Sequence, residues 1–163
     1  MLRTRRDYLL RIIDEVVEFL ARAVFQRKAG REQESLQSIV QACERLFGLE
    51  ADALFQFNPD QHFVMLTEGA EPAEASARVL LYAALNVEAG RNYSALKRPE
   101  LARVSYLNAL RLTLRTRVAF PGGAAPHYAP DIPELLALLS DQPLDAETTG
   151  LLRMAGTETP SAT

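Results

Sequence analysis

The sequence predicts an all-α protein built from antiparallel helical hairpins, and three observations support that fold class. Apolar residues recur every three or four positions over long stretches, which is the period of an amphipathic helix. Glycine or proline stands where these stretches end. No segment alternates between apolar and polar residues for long enough to form a sheet. The chain has 163 residues, 48% hydrophobic and 24% charged. That composition is typical of one packed domain, which we place at residues 1–155.

The first hairpin is predicted over residues 7–47. Asp7 is a good N-cap for a helix that runs to about Lys28. Apolar residues cover more than half of its circumference, so we expect other elements to cover it on two sides. Gly30 ends this helix, because glycine readily takes the left-handed conformation of a helix C-terminus. A second helix with a narrow apolar stripe covers residues 32–47 and must pack antiparallel, because the connection is short.

The second hairpin is predicted after two short helices. The short helices lie at 49–55 and 60–67, and Asn58-Pro59 gives the latter a capping side chain and a proline in its first turn. A long helix, apolar on all sides, starts near Pro72, runs to about Glu88 and ends at Gly90. Residues 92–97, a linker or a ragged half-turn, lead to the last long helix at 99–118.

The chain beyond residue 118 is predicted to be mostly irregular. Residues 121–133 read PGGAAPHYAPDIP, a composition that excludes a helix or a central strand. A short helix is expected at 134–140, and Asp145 is the N-cap of a last helix that ends near Met154. We predict that the tail, residues 156–163, is disordered.

The two hairpins share a spacing of residues around their glycines. Gly30 lies in Ala29-Gly30-Arg31 and Gly90 in Ala89-Gly90-Arg91, and each glycine has a small residue seven positions earlier, Ala23 or Ala83. A small-large-alanine pattern follows each glycine, at Ser35, Ile39 and Ala42 and again at Ala102, Tyr106 and Ala109. The first small residue comes 35−30 = 5 positions after its glycine in one case and 102−90 = 12 in the other. The difference predicts a seven-residue insertion in the second hairpin.

This spacing resembles the tetratricopeptide repeat, in which small residues stand where two helices cross. The Trp and the Leu-Gly pair of the repeat consensus are absent, so the resemblance is to a degenerate member. Residues 5–118 also resemble an uncharacterised bacterial family of small tetratricopeptide-like proteins. That likeness rests on Arg6-Asp7-Tyr8-Leu9-Leu10-Arg11-Ile12-Ile13, Lys28-Ala29-Gly30-Arg31, Phe47-Gly48-Leu49, Leu80-Leu81-Tyr82 and Tyr106-Leu107-Asn108-Ala109-Leu110. It implies a right-handed array or bundle of hairpins and no known activity, so no functional residue is carried over.

No catalytic or metal-binding constellation is recognisable in the sequence. Cys43 falls in the apolar stripe of the second helix and is interpreted as a buried hydrophobic residue. His62 and His127 lack neighbours at ligand spacing, so we assign neither a metal nor a catalytic role. Tyr128 is expected to anchor its loop. Gly122-Gly123 is not a phosphate loop, because neither a preceding strand nor a following Lys-Ser/Thr accompanies it.

The charged clusters are interpreted as solvated surface. Asp14, Glu15 and Glu18 lie close together on one helix, but Arg11 and Arg22 flank them, which favours a salt-bridged stripe over acid-base chemistry. Arg3, Arg5 and Arg6 form one basic cluster. A second lies between Arg98 and Arg117. Either cluster has the charge to bind an anion.

Charge and cysteine content restrict the function classes. A net charge of −3 and a pI near 5.5 argue against nucleic-acid binding. One cysteine cannot form an internal disulfide, no run is long and apolar enough to span a bilayer, and charges interrupt the N-terminal apolar stretch. We therefore expect a cytoplasmic protein without cofactor or enzymatic activity.

Two hypotheses of function follow. The preferred hypothesis is a helical scaffold whose groove binds a protein or peptide, or a second copy of the chain in a homodimer. The alternative is a regulatory protein that holds a small anionic ligand or nucleic acid through the arginines of helix 98–118.

Overall fold

The fold is all-helical across the part of the chain that the computed structural model describes, namely residues 2–156, with side chains from residue 5 onward. That range contains eight α-helices and no strand. They are α1 Leu2–Lys28, α2 Glu32–Phe47, α3 Ala51–Leu54, α4 Pro59–Thr67, α5 Pro72–Ala95, α6 Pro99–Ala119, α7 Ile132–Leu138 and α8 Ala146–Met154. The predicted fold class, all-α, is confirmed.

Two long hairpins organise the helices. The first consists of α1 and α2 and the second of α5 and α6, and α5 packs against both helices of the first hairpin. The short helix α4 lies against α5 and α6, whereas α7 and α8 lie against α6. Helix α5 is therefore central, which explains why its sequence is apolar on all sides.

Several predicted boundaries are confirmed. Helix α2 begins and ends where the sequence indicates, and Gly48 closes it with a φ of 70°. Gly30 makes the predicted turn with a φ of 77°. Asn58 and Gln61 form a capping box at the start of α4, and Asp145 caps α8 by accepting a hydrogen bond from the Thr148 N–H at 2.8 Å.

The predicted start of the first helix is wrong. Helix α1 begins at Leu2, so Asp7 lies within it and is not its N-cap. The five residues before Asp7 include leucine and three arginines, which have high helix propensity and extend the helix toward the N-terminus.

The predicted turn at Gly90 is also wrong, and the linker at 92–97 with it. Gly90 is buried inside α5, which continues to Ala95. The turn falls at residues 96–98, where Lys97 has a φ of 60°. The seven extra residues therefore lengthen a helix and do not form an inserted loop.

Two short helices differ from their predicted bounds. Helix α3 covers Ala51–Leu54 and is shorter than the predicted 49–55. Helix α7 begins at Ile132, two residues before the predicted start, because Asp131 caps it and Pro133 is tolerated in a first turn. The tail predicted to be disordered lies outside the described residues from 157 onward.

The apolar core forms two clusters along α5 and α6. The first joins α1, α2, α4 and the first half of α5, with Val16, Leu46, Leu66, Leu81 and Leu85 among its most buried members. The second joins the later part of α5 to α6, α7 and α8 through Val87, Leu110, Leu114, Leu135 and Leu152. The short helices thus complete both clusters: α3 packs against α2, α4 against α5 and α6, and α7 and α8 against α6.

Candidate functional site

The main candidate site is a groove between α2 and α6 whose floor is α5. We call it the α2–α5–α6 groove, and its volume is about 280 Å³. Helix α2 contributes one wall, α6 contributes Ser105, and Phe55, just after α3, lies at one end. The lining residues are Leu36, Ile39, Val40, Cys43, Phe55, Tyr82, Leu85, Asn86, Ala89, Tyr93 and Ser105.

The lining of the groove carries no charged side chain. Four floor residues, Tyr82, Asn86, Ala89 and Tyr93, recur at helical spacing and therefore share one face of α5. Asn86 supplies an amide to the groove, and its Nδ2 donates to the Tyr82 carbonyl at 2.9 Å. An apolar groove with few polar groups suits an apolar ligand or side chain, because burial of apolar area supplies the binding free energy.

The floor of the groove is fixed from below by a buried aromatic cluster. The His62 Nε2 lies 2.9 Å from the Leu54 carbonyl, and its Nδ1 lies 3.0 Å from the Tyr82 hydroxyl. A carbonyl only accepts, so Nε2 donates to Leu54, and the second hydrogen bond joins Nδ1 and the Tyr82 hydroxyl. The Phe47 ring packs edge-on against both rings. Burial raises the pKa of Tyr82. His62 therefore links α4 to α5, as a structural residue.

Cys43 is buried in the groove wall, as the sequence predicts. Its side chain is 3% exposed, and burial raises the pKa of the thiol to about 12. A nucleophilic cysteine needs the thiolate form, which this environment disfavours at neutral pH. The groove consequently offers contact area and not an activated nucleophile.

Exposed apolar side chains continue beyond the groove onto α3 and α4. Phe55, Phe57 and Val64 are 53%, 41% and 52% exposed, and we call them the α3–α4 patch. Phe55 lines the groove, while Phe57 and Val64 line a shallow depression on α4. Phe55 thus belongs to both the groove lining and the patch.

A second pocket lies on another side of α5, beneath the loop between α6 and α7. Its volume is about 200 Å³, and α1, α5, α7 and the loop line it. The Tyr128 hydroxyl donates to the Ala77 carbonyl at 3.1 Å, which confirms the expected anchoring of the loop. Burial raises the pKa of that tyrosine to about 12.

The loop pocket contains an ion-pair network whose centre is the buried Glu88. The Arg27 Nε lies 2.7 Å from Glu88 Oε2, and the Arg91 Nη1 lies 2.6 Å from Glu88 Oε1. Arg91 also pairs with Glu134 at 2.7 Å. These ion pairs link α5 to α1 through Arg27 and to α7 through Glu134. The sequence analysis did not identify Glu88. The signal for its burial was an acidic residue within a helix that is apolar on all sides.

Three of the α6 arginines reach acidic partners on different segments. Arg103 pairs with Asp141, Arg111 with Asp145 and Glu147, and Arg115 with Asp60. These partners lie after α7, at the start of α8 and on α4. The arrangement ties α6 to three surrounding segments.

The charged residues of α1 are likewise distributed. Glu15 pairs with Arg45 of α2 at 2.5 Å, and that guanidinium lowers the pKa of the carboxyl. Asp14 and Glu18 are exposed. Arg5 donates to the Gly69 carbonyl at 3.4 Å, and Arg6 lies 4.0 Å from Glu74. The side chain of Arg3 lies outside the described part. His127 is exposed in the loop.

Neither a metal cluster nor a membrane-spanning helix is found in the described part of the chain. Among the described residues, no group of His, Cys, Asp or Glu side chains has the arrangement to hold a metal ion. Within residues 2–156, no helix combines the length and the apolar composition that crossing a bilayer requires. Comparisons with protein-family models, curated proteins and solved structures find no match for this chain.

Proposed function

We propose that this chain is a non-enzymatic helical scaffold that binds an apolar segment of a protein partner in the α2–α5–α6 groove. The observation that carries the proposal is the uncharged lining of the groove, which includes the half-exposed Phe55. Contiguous exposed apolar surface is typical of protein-interaction sites. A volume of about 280 Å³ accommodates one or two bulky side chains.

We also propose that the hairpins belong to a degenerate tetratricopeptide-like array, similar to the bacterial family described above. The packing of α5 on both α1 and α2 supports this, because stacked repeats bury their faces on their neighbours. The argument from fold to binding is analogy, and the groove itself supplies the chemical argument. A cytoplasmic location is part of the same proposal.

The alternative, an anion site on the α6 arginines, has weaker support. Arg103, Arg111 and Arg115 pair with acids on three separate segments. A bound phosphate needs several donors directed at one point. We therefore favour the groove.

The test is a peptide selection against the folded chain, followed by affinity measurements with two matched variants. Ala89→Phe fills the groove, and Ala129→Phe adds the same atoms to the loop pocket. We expect fluorescence anisotropy of a selected apolar peptide to show binding at least about tenfold weaker to A89F and unchanged binding to A129F. Equal binding to both variants would contradict the proposal. Circular dichroism checks that both variants keep their helix content.

Self-association in the groove is a distinct outcome that sedimentation resolves. If a second copy occupies the groove, the chain sediments as a dimer at micromolar concentration and A89F converts it to a monomer. If the chain is strictly monomeric, the occupant of the groove is a different protein. A dimer that persists in A89F places the interface elsewhere on the surface.

A further inference from the structure

The segment that carries the exposed Phe55 and Phe57 has an excess of acidic residues. Residues 44–68 contain five acidic residues, Glu44, Glu50, Asp52, Asp60 and Glu68, and one basic residue, Arg45, for a formal charge of 1−5 = −4. The whole chain carries −3, so the remainder carries −3+4 = +1. The segment that supplies the α3–α4 patch is thus acidic. Residues 119–152 also hold five acids and no lysine or arginine, but Glu134, Asp141, Asp145 and Glu147 of that stretch lie in ion pairs with arginines of α5 and α6.

Four of these five acids are exposed, and the one basic residue pairs with an acid on another helix. Glu50, Asp52, Asp60 and Glu68 are exposed. Arg45 is held by Glu15 of α1, outside the segment. Asp60 is paired with Arg115. Among the described residues, Glu50 and Asp52 are, apart from the paired Asp60, the exposed acids nearest to Phe55 along the chain.

The shape of the surface favours a helix as the occupant. Residues 2–156 contain no strand, so there is no sheet edge to which an extended peptide could add. The groove lies between helices, and such a groove takes the apolar face of an amphipathic helix through anchors spaced three or four residues apart. The groove lining and the α3–α4 patch offer several apolar side chains as anchor positions, among them Tyr93, Phe55 and Val64.

We propose that the partner segment is a basic amphipathic helix. Its apolar face lies in the α2–α5–α6 groove and on the α3–α4 patch, and its lysine or arginine side chains face Glu50 and Asp52. The inference rests on the proposed function and adds the secondary structure and the charge of the partner. Complementary charge accelerates association and sets specificity, while the apolar face supplies most of the affinity.

The test compares two synthetic helices of about 18 residues, or five turns, with the same leucine and phenylalanine face. One has lysines on its polar face and the other has glutamates. We expect fluorescence anisotropy to show the lysine peptide binding at least about tenfold tighter at low salt. That ratio falls as the ionic strength rises toward 0.15 M, where the screening length is about 8 Å.

Charge-reversal variants locate the effect. Glu50→Lys with Asp52→Lys should abolish or invert the preference for the lysine peptide. Asp7→Lys with Asp14→Lys changes the net charge equally, but at exposed positions of α1 outside the groove lining, and should preserve the preference. Phe57→Ser should weaken both peptides. Circular dichroism of each variant checks the fold.

The outcomes separate this inference from the proposed function. If both peptides bind equally and A89F weakens both, the charge inference is overturned and the groove-binding function stands. The charge inference is also overturned if the two charge-reversal variants weaken binding of the lysine peptide equally, because the attraction then depends on net charge and not on Glu50 and Asp52. If neither peptide binds but a selected apolar peptide does, the partner is not a basic helix. If no peptide of any kind binds, the proposed function fails as well.

Discussion

The same tripeptide, Ala-Gly-Arg, has opposite roles in the two hairpins. Gly30 lies in a turn with a φ of 77°, and a Cβ built on it meets nothing within 4 Å. Gly90 lies inside α5, where a Cβ would come within 2.5 Å of the Tyr106 Cε1. The first glycine is required by its backbone conformation and the second by the ring of a neighbouring helix.

The comparison teaches that a glycine in a helical pattern has two physical explanations. A helix C-terminus needs a residue that tolerates positive φ, whereas a close helix crossing needs a residue without a side chain. In the first hairpin the crossing uses Ala23 and Ser35, and the Ser35 hydroxyl donates to the Ala23 carbonyl at 2.7 Å. In the second hairpin it uses Gly90 and Tyr106, so the turn is displaced to Lys97.

We expect the largest loss in the free energy of unfolding from a change at the ion pair that joins α5 to the first hairpin. Glu88→Ala removes the carboxylate that holds Arg27, and Glu88 is 3% exposed. Arg27 is 20% exposed and Arg91 keeps Glu134, so water and the second acid compensate part of the lost pairing; a hydrogen bond to a charged group contributes about 1.5–3 kcal/mol. We expect urea denaturation followed by circular dichroism to show a loss in that range.

Glu134→Ala is the matched control for Glu88→Ala. It removes the other carboxylate of Arg91, but Glu134 is 49% exposed. An exposed pair contributes at most about 1 kcal/mol. Equal losses in the two variants would show that α5 is not held to α1 by the buried carboxylate.

The second prediction concerns the glycine inside α5. Gly90→Ala gains about 1 kcal/mol of helix propensity, but it places a methyl group against three atoms of the Tyr106 ring at 2.5–3.0 Å. Overpacking costs about 1–3 kcal/mol, so after the gain in propensity we expect a net destabilisation of up to about 2 kcal/mol. In a Tyr106→Ala background the same change should be neutral or stabilising. If Gly90→Ala stabilises the wild-type chain, the close-approach explanation is wrong.

The third prediction concerns the glycine in the first turn. Gly30→Ala forces a side chain into the left-handed region and should cost about 1–2 kcal/mol. Gly30→Asn should recover much of that loss, because asparagine tolerates this conformation. At Gly90 asparagine should be worse than alanine, since the larger side chain meets the same ring. Thermal denaturation of the four variants measures both differences, and parallel behaviour at the two positions would remove the distinction between them.

The sequence was sufficient for those parts of the fold that local chemistry determines. The bounds of α2, the turn at Gly30, the capping box at Asn58 and the cap at Asp145 all depend on residues within one or two turns of each other. The identification of Gly90 as a turn failed because its explanation, Tyr106, lies sixteen residues away on another helix. The Asp7 cap failed because the preceding residues are themselves good helix formers.

Most of the candidate site could not be derived from the sequence. Burial of Cys43 followed from its place in an apolar stripe. The groove needs Leu36, Tyr93 and Ser105 on three helices, and no periodicity within one helix indicates that they meet. The same holds for Glu88 and Arg27, whose pairing joins residues 61 positions apart. Long-range pairing depends on how the hairpins stack, which the residue pattern of each hairpin does not specify.

We expect the smallest loss in the free energy of unfolding from a change at the N-cap of α8, which packs against the second hairpin. Asp145 accepts from the backbone N–H and the hydroxyl of Thr148, and Arg111 of α6 lies 3.8 Å away. These donors hold the pKa of Asp145 below its ordinary value of 3.8. Losing an N-cap costs about 1 kcal/mol, so we expect Asp145→Ala to lower stability by that amount or less at pH 7.

The pH dependence of this variant has a definite sign. A carboxyl with a lower pKa in the folded state stabilises the fold above its unfolded-state pKa, and this contribution disappears as the pH falls through the folded-state pKa. The difference between wild type and Asp145→Ala should therefore be constant above the ordinary value of 3.8 and should shrink below it. Asp145→Asn keeps a capping oxygen and should lose less stability than alanine. A difference that grows on acidification would mean that the charge of Asp145 opposes folding, and that α8 is held to the second hairpin by its apolar contacts alone.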